Sequence, residues 1–305
     1  MAVGAAAAAS LTGYSRSETA VPKGEPFKYC LNTSTIRGQK LTLAKEIELA
    51  SKAGYQAIEP WISEIDDHVK GGLTLKDLSK RVRDNGLTVE SAIGFAEWIV
   101  EDDSRRARGM EHAKRDMDLV AQIGGFRIAA PPAGATDNAN LDLHKAAERY
   151  RLLLELGDRM GVVPMVELWG FSKCLHLLGE TAYVAIESGH PKACILIDVY
   201  HIYKGGSDID GLKLLSRSAI HHVHMNDYPS SPPRETITDA HRVYPGDGVA
   251  PMDTILRDLS AMGPGIVLSV ELFNPEYYKQ DALAVAKTAL EKTKAAVKQS
   301  QRSRS

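Results

Sequence analysis

Glu167, Asp198, His224 and Glu271 each sit within or just after a short apolar run, in the segments VVPMVELWG, CILIDVYH, IHHVHMND and IVLSVELF. A polar residue closing one such run marks no more than the point where a strand leaves the core. Four successive runs that close on two Glu, one Asp and one His need a shared reason, because each side chain offers a ligand atom for a divalent cation. Oxygen-dominated ligation with a single imidazole suits Mn2+ first and admits Mg2+, Co2+ or Zn2+. One divalent metal ion is the cofactor this set predicts.

For the four to meet, the strands that carry them must end on one face. Candidate strands at 27–32, 56–61, 88–95, 126–132, 162–168, 193–199, 220–227 and 265–273 alternate with helical patterns near 42–53, 74–85, 103–123, 140–160, 179–189, 208–217, 252–262 and 281–297. The first helical pattern shows Leu43, Ile47 and Ala50 on one face, with Thr42 as N-cap and Gly54 as the C-terminal stop. Asn85-Gly86, Gly124-Gly125 and Gly161 end other helices in the same way. Strict alternation with mostly continuous apolar strands predicts a parallel sheet covered by helices. Eight repeats favour closure into an α/β (β/α)8 TIM barrel, in which strand ends converge on the C-terminal face. A doubly wound open sheet would usually carry a glycine-rich phosphate turn after its first strand, and that position reads NTSTIRG.

Other residues near strand ends have weaker claims. Glu59 closes the second strand, where it is expected either to accept from a substrate hydroxyl in the mouth or to be solvated. Trp61, Phe95, Trp98 and Trp169 cluster near strand ends and suit a sugar-binding wall as well as plain packing. His201 follows Asp198 by three residues, within reach of the metal or of a bound hydroxyl. His221 and His222 fall earlier in the seventh strand, and at least one of them reads as structural.

Composition sets the outer limits. At 305 residues and 44% hydrophobic content the chain can bury one large core, within the size range of single α/β barrels. A net charge of −2 leaves no basic surplus for a phosphate backbone. No apolar stretch reaches the roughly 18–20 residues of a membrane span. Nucleic acid and membrane are therefore not expected partners; a homo-oligomer is left open. The barrel is expected over 27–297. Before it, residues 1–26 open with AVGAAAAASLTG, which resembles the apolar part of an export signal but lacks the preceding positive charge. A helix-prone disordered tail is the other reading, so both a cytoplasmic and an exported location stay open. Residues 298–305, with Lys298 to Arg304, read as a disordered, solvated basic tail. Cys30, Cys174 and Cys194 are too few for a disulfide framework, and Cys30 and Cys194 read as small core residues.

The segments VELWGFSKC, LIDVYHIYKGGSDI, HVHMNDYP, HRVYPGDGV and SVELFNPEYYK resemble the sugar isomerase/epimerase group of xylose-isomerase-like barrels. The likeness runs from Tyr29 to about Lys294, and RVYPGDG and SVELFNPEYYK are its most specific stretches. It implies that Glu167, Asp198, His224 and Glu271 bind one divalent metal, and that His201 and Arg242 contact substrate oxygens. The related ketose 3-epimerases carry a second glutamate after the fifth-strand ligand, where this chain reads Phe171-Ser172-Lys173. That departure bears on the substrate rather than on the metal.

The implied activity is isomerisation or epimerisation of a small keto-polyol or keto-sugar. Such a reaction removes a proton beside a ketone and holds the resulting enediolate with the cation. Glu167 and Glu271 are the natural acid/base pair, one carboxylate on each face of the substrate. His201, Arg242, Glu59 and Trp169 complete the expected substrate contacts. A lyase or dehydratase would share the enolate and differ only in its fate. An apurinic-endonuclease-like phosphodiesterase would share the barrel, with Asp239-Ala-His241 as one of its metal pairs. It would need further His ligands where this chain has Glu59-Pro60-Trp61 and Phe95-Ala96-Glu97.

Overall fold

The computed structural model describes residues 25–302. Eight strands, β1 (Phe27–Asn32), β2 (Ala57–Glu59), β3 (Thr88–Val89), β4 (Arg127–Ala130), β5 (Val163–Glu167), β6 (Ile195–Asp198), β7 (Ile220–Met225) and β8 (Ile266–Val270), form one parallel sheet. Its order, β3-β2-β1-β8-β7-β6-β5-β4, is that of a sheet curling round on itself. Ten helices cover it: α1 (Leu43–Ala53), α2 (Ile62–Lys70), α3 (Leu75–Asp84), α4 (Asp103–Gln122), α5 (Leu143–Met160), α6 (Leu178–Glu187), α7 (Val199–Gly205), α8 (Met252–Ala261), α9 (Pro275–Tyr278) and α10 (Ala282–Arg302). The (β/α)8 barrel expected from the alternation is the fold observed.

The seam lies between β3 and β4. β3 pairs through only Thr88 and Val89, and across the gap the Ala129 N–H donates to the Ala92 carbonyl at 2.9 Å. β2 is shorter than the apolar run around it because Pro60 has no N–H to continue the ladder. Trp61 resumes pairing as an isolated bridge to Ile93.

Several elements differ from the sequence expectation. α2, α7 and α9 were not foreseen, and the segment expected as a helix over 208–217 is a 3-10 turn, Ile209–Leu214. Thr42 occupies the N-cap of α1 without a side-chain bond, whereas Gly54 closes that helix at φ 97°, a conformation that favours glycine. α10 continues to Arg302, so the basic tail expected to be disordered from 298 is helical through that residue. Ser300 is buried and donates to the Val297 carbonyl at 2.8 Å. The remainder of that tail and the signal-like residues 1–24 lie outside the described residues. Among the described residues no helix is long and apolar enough to cross a membrane. Cys30, Cys174 and Cys194 are buried free thiols.

Period-two alternation decides what fills the barrel. Cys30, Ala57 and Val267 pack together in the middle, as do Met165, Cys194 and Leu196 with Ile93 and Ala129. Two residues towards the strand ends, the same faces carry Asn32, Glu59, Glu167, Asp198 and Ser269. Towards the opposite end, Lys28 donates to Glu90 at 2.5 Å and Arg127 approaches the same carboxylate at 3.6 Å. Burial opposes the charge of Glu90, yet Lys28 holds its carboxyl below the usual range.

That ion pair is sealed from solvent, so removing one partner strands the other. Glu90→Ala is expected to lower the unfolding free energy by roughly 3–5 kcal/mol, read from the denaturant midpoint. A midpoint unchanged within error would mean that Lys28 finds water instead.

Candidate metal centre

Glu167 closes β5, Asp198 closes β6, His224 lies one residue before the end of β7 and Glu271 follows β8 directly. Parallel register brings all four to the C-terminal mouth. His224 Nδ1 stands 3.4 Å from Glu167 Oε1, 3.7 Å from Asp198 Oδ2 and 3.2 Å from Glu271 Oε2. That nitrogen is buried and makes no aligned hydrogen bond to any of them. An unbonded imidazole nitrogen facing three carboxylate oxygens is a donor set that fits a divalent cation. Ligand atoms of Asp198, His224 and Glu271 lie within 4.8 Å of one another, and so do those of Glu167, Asp198 and His201.

The electrostatics identify where positive charge is wanted. Burial disfavours a protonated His224, but Glu271 and Glu59 overcome it and raise its pKa well above the ordinary value. Glu167 moves the other way from most carboxylates. Burial, opposed by His224 and reinforced by the charges of Glu271 and Asp198, lifts its pKa to about 7. Asp198 is also buried, yet Arg242 and then His201 hold it well below the usual range.

Arg242 reaches the same centre from the loop after β7, and His201 from the first turn of α7 directly after β6. Arg242 Nη1 donates to Asp198 Oδ2 and to Glu271 Oε2, each at 2.9 Å, and Nη2 meets His201 Nε2 at 3.1 Å. Its position is built by the stretch that follows. Asp227 pairs with Val243 in an antiparallel bridge, and its carboxylate accepts from Tyr228 N, Gly246 N, Gly248 N and Ala250 N at 2.7–3.0 Å. Asn274 Nδ2 then holds the Arg242 carbonyl at 3.0 Å. RVYPGDG and SVELFNPEYYK thus fix the backbone that carries Arg242. Burial pushes the His201 pKa below its ordinary value, and the Gly170 N–H donates to its Nδ1 at 3.2 Å. A Cβ at Gly170 would lie 2.5 Å from the His201 carbonyl, so only glycine permits that approach.

Glu59 is placed differently from the expectation of a substrate contact in the mouth. It is fully buried beneath His224, whose Nε2 lies 3.1 Å from Glu59 Oε2. Ser269 Oγ donates to the same oxygen at 2.7 Å and Asn32 Nδ2 at 3.0 Å. Asn32, Ser269 and Asn226 were not singled out in the sequence. Asn32 ends β1 as Glu167 ends β5, and that parallel was the available signal. Asn226 donates to both Asp198 oxygens at 3.3 Å.

Of the four aromatic residues expected as a wall, three lie at the mouth. Trp61 is 5.1 Å from Phe95, Phe95 is 6.0 Å from Trp169, and Trp169 stacks on Phe171 at 5.2 Å between ring centroids. Arg37 lies 3.5 Å over the Trp61 ring. Trp98 is instead core: it is fully buried against Tyr150 and donates to the Pro131 carbonyl. His221 is outside the site and bonded to Arg217, and burial lowers its pKa to about 4. Asp239 pairs with Arg242, His241 turns back on Thr238, and Glu97 pairs with Arg105. None of the three supplies an additional ligand to the centre.

The profile of the xylose isomerase-like TIM barrel family matches residues 47–296. The chain belongs to that family. Among curated relatives it is similar to the inosose isomerase of Bacillus velezensis, with 29% identity over 275 residues, 88% of this chain and 97% of that protein. It is 22% identical over 234 residues to the 3-dehydroshikimate dehydratase of Pseudomonas putida, covering 76% of this chain and 36% of that longer protein. A crystal structure of the IOLI protein with a bound zinc atom superposes with a TM-score of 0.83 at 23% identity, covering 90% of this chain and 99% of the other. The family's barrel is therefore present over nearly the full described length.

Proposed function

We propose that the protein is a divalent-metal-dependent isomerase or epimerase of a cyclic keto-polyol, of the inosose isomerase type. Glu167, Asp198, His224 and Glu271 would hold the ion, Mn2+ first among Mg2+, Co2+ and Zn2+. When bound, it supplies positive charge where the oxygen of a ketone becomes negative on loss of the neighbouring proton.

The observation that carries the reading is the contrast between the two glutamates. Glu271 is tied to Arg242 at 2.9 Å and to Asn32 at 3.3 Å. With no ion bound, Glu167 has His224 Nδ1 at 3.4 Å as its polar neighbour and a pKa near 7. Less tied than Glu271, it is the carboxylate freer to take a proton from one carbon and return it to the next. Glu167 and Glu271, entering from β5 and β8, then serve as the acid/base pair. Arg242 and His201 offer directed polar atoms that orient substrate oxygens. Trp169, in the row of rings at the mouth, covers the C–H face of the substrate ring and excludes water. The relatives' names and the family membership support the substrate class.

The test separates this outcome from elimination through the same enolate. The protein incubated in deuterated solvent with 2-keto-myo-inositol is expected to yield an isomer that carries deuterium at carbon and is otherwise unchanged in composition. A product lighter by water, or release of an aglycone from a 3-keto-glycoside with no isomer formed, would move the assignment to a lyase while leaving the metal site standing.

A further inference from the structure

From the geometry beneath the site we infer that Glu59 is a positioning residue that fixes the ring of His224 so that Nδ1, and not Nε2, faces the metal. The inference rests on the metal reading above and adds a residue to it. His224 has two ring nitrogens, and a neutral imidazole carries a proton on one and a lone pair on the other. Nδ1 faces Glu167, Asp198 and Glu271, while Nε2 meets Glu59 Oε2 at 3.1 Å. A carboxylate behind Nε2 takes its N–H and leaves the lone pair on Nδ1, the side where the other three ligands converge.

Glu59 is itself built to stay put. Its Oε2 collects Ser269 Oγ at 2.7 Å, Asn32 Nδ2 at 3.0 Å and His224 Nε2 at 3.1 Å, with His222 Nε2 also 3.1 Å away though not aligned for a hydrogen bond. All these residues are fully buried. Asn32 extends the brace, since its Nδ2 also reaches Glu271 Oε1 at 3.3 Å and its Oδ1 accepts from Trp61 Nε1 at 3.1 Å. One buried carboxylate therefore orients a ligand on β7 and, through Asn32, steadies a second ligand after β8. The other oxygen, Oε1, accepts no hydrogen bond among the described residues, so the donors crowd on Oε2 alone.

The test is Co2+ binding, with the visible absorption of the bound ion as a second readout independent of turnover. Glu59→Gln keeps the shape and can keep an oxygen at the Oε2 position, but it removes the charge that draws the Nε2 proton. It is expected to weaken Co2+ binding about 10–100-fold and to change the Co2+ spectrum, with circular dichroism retained. Glu59→Ala should weaken binding at least as much, and Ser269→Ala less than either. A folded Glu59→Gln variant with wild-type Co2+ affinity and spectrum overturns the inference while the metal reading survives. Wild-type protein that binds no Co2+ overturns both.

Discussion

Glu167→Gln is expected to lower turnover of a cyclic keto-polyol by about 10²-fold or more, the usual contribution of a positioned acid or base, with one divalent ion still bound per chain. The amide keeps a ligand oxygen and nearly the same volume, so the metal shell loses little. What it loses is the basicity of a carboxylate, the property that lets Glu167 take a proton from carbon. Glu271→Gln is the companion experiment: there the amide also disturbs the contact to Arg242. Steady-state rates set beside metal content per chain decide the matter. If rate and metal fall together in either variant, that glutamate is a ligand alone.

Exhaustive chelation is expected to abolish activity and Mn2+ or Co2+ to restore it, and the affinity for the ion is expected to fall as the pH is lowered. The sign follows from which form binds. A cation requires Glu167 as carboxylate and His224 with a free lone pair, whereas burial favours the protonated acid in Glu167 and the surrounding carboxylates favour a protonated His224. Protons and metal therefore compete. Below about pH 7 the Glu167 proton must be expelled for the ion to enter, and each proton displaced weakens binding by about tenfold per pH unit. Co2+ dissociation constants at a series of pH values on either side of neutrality measure the slope. A pH-independent constant, or full activity in chelator without stoichiometric metal, would count against the site.

Some of this was legible in the chain. The alternation of apolar runs with amphipathic stretches is a local property, and it gave eight strands, their order and the parallel barrel. The ends of β5, β6, β7 and β8 are local too, because period two places a polar residue after an apolar run on the same face as the residue two before it. Strand boundaries were legible only to within a few residues. Pro60 cuts the second run short, and only the first two residues of the third form a continuous ladder.

The sequence by itself determined the barrel and four side chains able to bind a cation, since periodicity and residue type are carried by neighbours along the chain. Only the tertiary structure decided what surrounds them. Glu59 turned from a residue of the mouth into one buried under His224 because β2 and β7 face each other across the barrel, 165 residues apart in the chain. Arg242 reaches Asp198 and Glu271 because Asp227 gathers four backbone N–H groups of a loop that no periodicity describes. The pKa of Glu167, near 7, belongs to no residue singly; it arises from burial and from charges that folding brings within a few ångströms.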